Sequence, residues 1–184
     1  MRVINRIDKS KLKHVWGVII FMLMFGFGLT LHIKHVCADN FFEAHIVCMS
    51  DTDTIILRGG TIVQFMGIDM PVTKGGNPLF LDIAKEALAY NKKMLEGKKI
   101  RLEFVEPTAK NPSDSRKFAY VFTGGQMINA LLLKKGYAAV SSTYSPDIKY
   151  QSYFAKVQNE AILYKRGIWK KFQQSSGANK YAFK

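Results

Sequence analysis

Cysteine, proline and acidic residues are all scarce in this chain of 184 residues. Its two cysteines, Cys37 and Cys48, exclude a small disulfide-held scaffold and a zinc site of four thiolates. Five prolines and 14 glycines exclude a collagen-like chain. The four histidines do not cluster: His14, His32 and His35 fall early and His45 sits in a β-like run, so none is assigned a role. Only 14 Asp and Glu oppose 27 Lys and Arg, a net charge of +13 with pI about 9.7. Such a field favours polyanions, nucleic acid or anionic lipid, and does not define a fold. With 48% hydrophobic and 22% charged residues the chain is not a disordered one. Its length suits one domain plus a segment or two.

What is present begins with a membrane or export signal. Residues 1–14 carry Arg2, Arg6, Lys9, Lys11 and Lys13 against the single acid Asp8. From Val15 to Ile33 no residue is charged. A helix rises about 1.5 Å per residue, so this run nearly spans a hydrocarbon core of about 30 Å. It has no polar face of the kind an amphipathic core helix shows. The positive-inside bias sets the N-terminus in the cytoplasm and the chain after Lys34 in the periplasm or outside the cell. The run exceeds the usual 7–15 apolar residues of a signal peptide, which favours an uncleaved signal-anchor. Val36-Cys37-Ala38 nevertheless offers a small residue just before Asp39, and cleavage there would secrete the domain.

The expected organisation is a basic stub and transmembrane anchor at 1–38, a domain at 39–172 and a flexible polar tail at 173–184. The first 38 residues hold six Lys and Arg and one Asp, so the rest carries 21 basic against 13 acidic side chains, a net +8. The basic character therefore belongs to the exported domain. Cys37 and Cys48 would meet a compartment that permits a disulfide, although Cys48 in an apolar run reads better as a small buried hydrophobe.

The domain reads as strands first and helices later. Phe41–Met49 and Thr54–Leu57 flank the turn residues Ser50-Asp51-Thr52-Asp53, the pattern of a hairpin. Arg58-Gly59-Gly60 precedes a third strand at Thr61–Ile68, and Asp69–Pro78 is a loop. From Leu81 to Glu96 apolar residues recur every three or four positions, ending at Gly97, which predicts a helix. Lys99–Val105 alternates as a strand, Pro107–Ser115 is a polar loop and Phe118–Phe122 another strand. Met127–Lys135 and Tyr150–Lys165 read as helices ended by glycine. The pattern predicts an α+β fold: a five-stranded β-barrel of the OB type with about three helices, preceded by one N-terminal transmembrane helix.

Six stretches, in order, resemble the staphylococcal nuclease (thermonuclease) family. They are Asp51-Thr52-Asp53-Thr54; Gly67-Ile68-Asp69-Met70-Pro71; Glu86-Ala87 with Lys92-Lys93-Met94; Arg116 before Ala119-Tyr120-Val121; Met127-Ile128-Asn129-Ala130-Leu131 leading to Gly136-Tyr137-Ala138; and Gly167-Ile168-Trp169. The resemblance implies a Ca²⁺-dependent phosphodiesterase acting on DNA and RNA. It places Asp53, Asp69 and the Met70 carbonyl on the metal and Arg116 on the scissile phosphate. A hard cation takes such oxygen ligands, and a phosphate in displacement needs fork-like cationic donors.

The match departs from the family at informative positions. Where the family has the first of its two phosphate-clamping arginines, five residues before Asp69, this chain has Gln64, and where it has the general-base glutamate this chain has Val72. Thr52 replaces a glycine between the two hairpin aspartates, and Asp114-Ser115 replaces a Tyr-Gly pair. Glu43, Asp51 and Lys74 lie close in sequence but not at the required positions.

Two function classes follow. One is a membrane-tethered, exported module that binds nucleic acid through a nuclease fold with a degraded catalytic site, Lys92, Lys93, Lys98 and Lys99 contacting phosphates. The alternative is a working Ca²⁺-dependent endonuclease. A basic face resting on anionic lipid is a third reading. No small-molecule cofactor is expected, and the chain reads as a monomer.

Overall fold

The structure is a computed structural model and describes residues 41–106, 115–143 and 149–175. The chain divides after Asp39 into two units, and the described residues belong to the second. The apolar run at 15–33 and the tail from 176 lie outside them. Among the described residues no helix is long and apolar enough to cross a membrane.

The first strand, β1 (Phe41–Asp51), is long and bends at two register shifts. Bulges of this kind let one strand serve two neighbours. Its first half pairs antiparallel with β5 (Lys99–Val105), and its second half with β2 (Thr54–Leu57). The expected third strand is shorter than its pattern: β3 (Ile62–Phe65) stops at the Met66-Gly67 turn, where Gly67 has φ 78°. Ile68 and Asp69, read above as strand end and loop start, instead form β4 and pair with β8 (Ala139–Val140). β6 (Lys117–Thr123) runs antiparallel to β5 and parallel to β3. That last pairing closes the five-stranded barrel. β7 (Gln126–Met127) only extends β6 into a hairpin.

Four α-helices are present among the described residues, one more than the sequence pattern predicts. They are α1 (Leu81–Leu95), α2 (Ile128–Lys135), α3 (Gln151–Leu163) and α4 (Ile168–Gln174). A short 3-10 helix, Pro78–Phe80, leads into α1. Lys165 and Gly167, with φ of 52° and 51°, break α4 from α3. The fourth helix continues two residues beyond the boundary expected at 172.

The barrel interior is filled by Ile55, Val63, Phe65, Ile100, Leu102, Ala119 and Val121, each at most 1% exposed. Tyr120 is fully buried and meets Tyr150 edge-on, ring centroids 4.6 Å apart. Burial pushes its phenol up from the ordinary range. A second cluster of Phe80, Ile83, Ala139 and Ile168 holds the terminal helix, with Trp169 and Phe172 packed on it. Cys48 is a half-buried free thiol. Lys171 donates to Asp82 at 2.7 Å, tying α4 to α1, and this bond holds the Asp82 carboxyl below its usual range. The bond's contribution is present above the ordinary carboxylate pKa and is lost as pH falls through the lowered one.

One close approach fixes how α2 meets α4. Gly136, at φ 73°, ends α2 and accepts the Ile168 amide at 2.9 Å. A Cβ on Gly136 would lie 2.2 Å from the Arg166 carbonyl oxygen, and one on Gly167 would lie 2.1 Å from the Gly136 carbonyl oxygen. Both glycines also hold positive φ, which a Cβ disfavours. Gly136→Ala and Gly167→Ala should each destabilise the protein by about 2 kcal/mol or more, since both backbone segments must move. The control Gly59→Ala meets nothing within 4 Å and should cost less. Urea denaturation midpoints of the three variants give the comparison.

Candidate functional site

The polar site is built around β3, whose Gln64 pairs with Thr54 on one side and with Phe118 on the other. The tight turn between β1 and β2 carries Thr52 and Asp53, both buried. Asp51 Oδ1 accepts the Thr52 amide at 2.7 Å, and the Asp53 carbonyl accepts the Phe65 amide at 2.9 Å. Lys165 is the one described non-glycine residue with positive φ. Thr52 therefore occupies the position of the family's glycine without left-handed strain.

Asp53 is 7% exposed, and both its carboxylate oxygens accept hydrogen bonds. Thr54 Oγ1 donates to Oδ1 at 2.9 Å and Gln64 Nε2 donates to Oδ2 at 3.0 Å. Gln64 is equally buried, and its own Oε1 has no hydrogen-bond partner. The residue read from sequence as an absent charge is thus a neutral donor fastened to a candidate metal ligand.

The other candidates fall on neighbouring elements. Asp69 is half-buried on β4, facing Ala139 in the register. Met70 follows with its side chain fully buried. Val72 is half-buried in the next loop and packs against Gly76, where a Cβ would come within 2.7 Å of Val72 Cγ2. Arg116 is half-buried immediately before β6, beside exposed Ser115, while Asp114 lies outside the described residues. Lys92, Lys93, Lys98 and Lys99 are all exposed, and Lys99 forms an ion pair with Glu43. Lys92 and Lys93 lie in the last turn of α1, where cations also complement the helix dipole.

Two buried asparagines, assigned no role by sequence reasoning, hold the acidic segments. Asn91 Nδ2 donates to the Thr52 carbonyl at 2.7 Å, fixing the turn that bears Asp53. Asn129 Nδ2 donates to the Met66 carbonyl at 2.9 Å, and its Oδ1 accepts the Val121 amide at 2.9 Å. It thereby fixes the turn that leads to Asp69. Asn91 interrupts the apolar face Ala84, Ala87, Leu95 of α1. A polar residue at that spacing was the signal available.

The donor set suits Ca²⁺ in type, since carboxylates and carbonyls are hard oxygen ligands. It falls short in number: among the described residues no three His, Cys, Asp or Glu side chains gather in a group that could hold a metal. Ca²⁺ takes six to eight oxygens, so the balance would have to come from water or substrate.

A closed barrel of this type, with Asp53, Gln64, Asp69 and Arg116 on adjoining elements, defines the class of small OB-type nuclease-like domains. Comparison with known proteins specifies it. The family model described as staphylococcal nuclease homologue matches residues 62–171, more than half of the chain. A thermonuclease of Staphylococcus intermedius is 32% identical over 160 residues, covering 84% of this chain and 90% of that protein. The SPbeta prophage-derived endonuclease YokF of Bacillus subtilis is 34% identical over 124 residues, covering 66% of this chain and 42% of its own. The B. subtilis endonuclease YncB is 32% identical over 122 residues, with shares of 66% and 57%. The chain thus spans about half the length of these two endonucleases. It belongs to the staphylococcal nuclease family.

Asn129→Ala would leave the Met66 carbonyl and the Val121 amide without their buried partner. Each such orphan costs about 1–3 kcal/mol, so the expected loss is about 2–6 kcal/mol, read from urea denaturation. Asn129→Asp should be nearly as damaging, because it removes the donor and buries a charge.

Proposed function

We propose that the chain is an exported, membrane-tethered nucleic-acid-binding domain whose nuclease site works poorly or not at all. The tether is the apolar run at 15–33, and the domain lies across the membrane from the basic N-terminus. The observation that carries the reading is the Gln64–Asp53 hydrogen bond. A residue held there as a neutral donor cannot supply the charged fork that an arginine brings to a phosphate.

Hydrolysis of a phosphodiester needs a group that takes a proton from water, cations around the phosphate, and a fixed geometry. Arg116 supplies one guanidinium. Val72 has no atom that accepts a proton, and losing a general base costs about 10²–10⁴ in rate. Loss of a phosphate-clamping arginine costs about 10³–10⁵ in well-studied phosphoryl-transfer cases. Asp53, Asp69 and the Met70 carbonyl would hold Ca²⁺, which when bound supplies positive charge to the phosphate oxygens. Binding requires less than cleavage: the net +8 of residues 39–184 and exposed lysines such as Lys92, Lys93 and Lys98 suffice for phosphate contacts. The working Ca²⁺-dependent endonuclease is the second reading. The retained Asp53, Asp69 and Arg116 favour it, as do relatives named endonuclease and thermonuclease.

Cleavage of supercoiled DNA in Ca²⁺ separates the two. The full chain in detergent should cut little, and Gln64→Arg combined with Val72→Glu should raise the rate at least about tenfold, a fraction of what a restored base can return. Adding Asp69→Ala should abolish the gain. Robust cleavage by the unmodified chain, lost on Arg116→Ala, would establish the endonuclease instead.

Binding has its own signature. Affinity for single-stranded DNA should fall at least about tenfold between roughly 50 and 200 mM salt, as counterion release requires for several phosphate contacts. Salt-independent affinity would remove the nucleic-acid assignment.

A further inference from the structure

At one end of the barrel β1 begins, β5 ends and β6 begins, as the pairings Phe42↔Leu102, Phe104↔Ala119 and Val105↔Phe118 require. The inward rows of β1 and β5 run Phe42, Ala44, Ile46 and Ile100, Leu102, Phe104. Their inner members are buried, whereas Phe42 is 55% and Phe104 36% exposed. These two rings lie 5.8 Å apart, centroid to centroid, and Lys117 Nζ stands 5.4 Å above the Phe104 ring. On the outward row of the same strands, Phe41 meets Phe122 edge-on at 5.1 Å, with the exposed Arg101 guanidinium 4.5 Å over Phe41. Nearby Glu43 is paired with Lys99.

We propose that this rim is a docking surface for an anionic phospholipid bilayer, with Phe42 and Phe104 entering the headgroup–acyl boundary and Lys117 reaching lipid phosphates. Exposed rings capped by long cationic side chains suit that boundary, because the ring sits in the apolar layer while the stem carries its charge back to the headgroups. Chain length selects this occupant. Seven residues, Lys34 to Asn40, separate the apolar run from Phe41. Fully extended they bridge less than about 30 Å. The start of β1 therefore stays near the membrane surface. The inference rests on the tether proposed above.

The test uses the full chain reconstituted in vesicles of phosphatidylglycerol and phosphatidylcholine with brominated acyl chains, which quench nearby tryptophan. Of the two wild-type tryptophans, Trp16 lies within the apolar run and Trp169 packs on the Phe80 cluster, so in a Trp169→Phe background the quenching of Trp16 reports the tether alone. Phe42→Trp reports docking. Leu163→Trp, at a site 72% exposed on α3, is the comparison. The expected result is that the emission added by Phe42→Trp falls by about half or more, as immersion of about 5–10 Å implies, while the emission added by Leu163→Trp does not. Lys117→Glu in the Phe42→Trp protein should weaken that quenching. A rim indole quenched no more than the one on α3 would overturn the docking surface whether or not Trp16 is quenched. A rim indole quenched by single-stranded DNA but not by brominated lipid would also overturn it, assigning the rim to nucleic acid.

Discussion

The parallel pairing of β3 with β6 is the constraint from which the rest of this domain hangs. Four antiparallel pairings alone would leave an open, curled sheet with two edges. Setting Val63, Gln64 and Phe65 beside Lys117, Phe118 and Ala119 closes it and removes those edges, which otherwise invite association. Closure also demands that the chain leave β3 abruptly. The Met66-Gly67 turn does so, held at Met66 by the Ala119 carbonyl and the Asn129 amide, and at Gly67 by the Ser141 amide. Asp69 follows two residues later. Arg116 enters β6 beside the start of β3, and Gln64 reaches Asp53 across the other neighbour. All four candidate residues owe their positions to a single strand and what flanks it.

Much of this was legible because it is periodic. The β-forming run of β1, the alternation of β5 and the three-to-four spacing of α1 appear in the structure within a residue or two of their expected ends. What was not legible depends on partners far away in sequence. β4 and β8 are two residues each and exist only through each other, so neither makes a local pattern. The break after Phe65 looks apolar and continuous in sequence, since Met66, Gly67 and Ile68 are all buried. α4 was hidden by its length and by polar residues. It is held by Phe80 against Phe172, rings 5.0 Å apart, rather than by its own propensity.

The site shows the same division. Family spacing proposed Asp53, Gln64, Asp69, Val72 and Arg116 as candidates by position alone. It did not show that Gln64 donates to Asp53, because that bond joins residues eleven apart across a hairpin. Nor did it assign Asn91 and Asn129, which act through side chains buried at 0% exposure on faces otherwise apolar. A buried asparagine survives only when its amide is paired, and here the pairs are the backbone groups that shape the two acidic turns.

The exchange of an arginine for Gln64 has an electrostatic consequence that geometry alone understates. Thr54 and Gln64 both donate to Asp53 as neutral groups, so these bonds stabilise its carboxylate without adding a positive charge. A guanidinium in place of the Gln64 amide would have offset that charge and a phosphate's together. One missing unit charge at about 4 Å, with an effective dielectric of about 20, is worth about 4 kcal/mol, or about three powers of ten in rate if felt in the transition state. That is the low end of the range for losing a phosphate-clamping arginine, reached with no change in shape. The lysines of α1 and β5 lie on other elements and carry attraction for a polyanion that does not depend on this charge. In the function proposed for this chain, binding and cleavage are therefore separable. On that proposal a single polar residue at the centre of β3 suppresses cleavage while leaving the fold, its acidic turns and its basic surface in place.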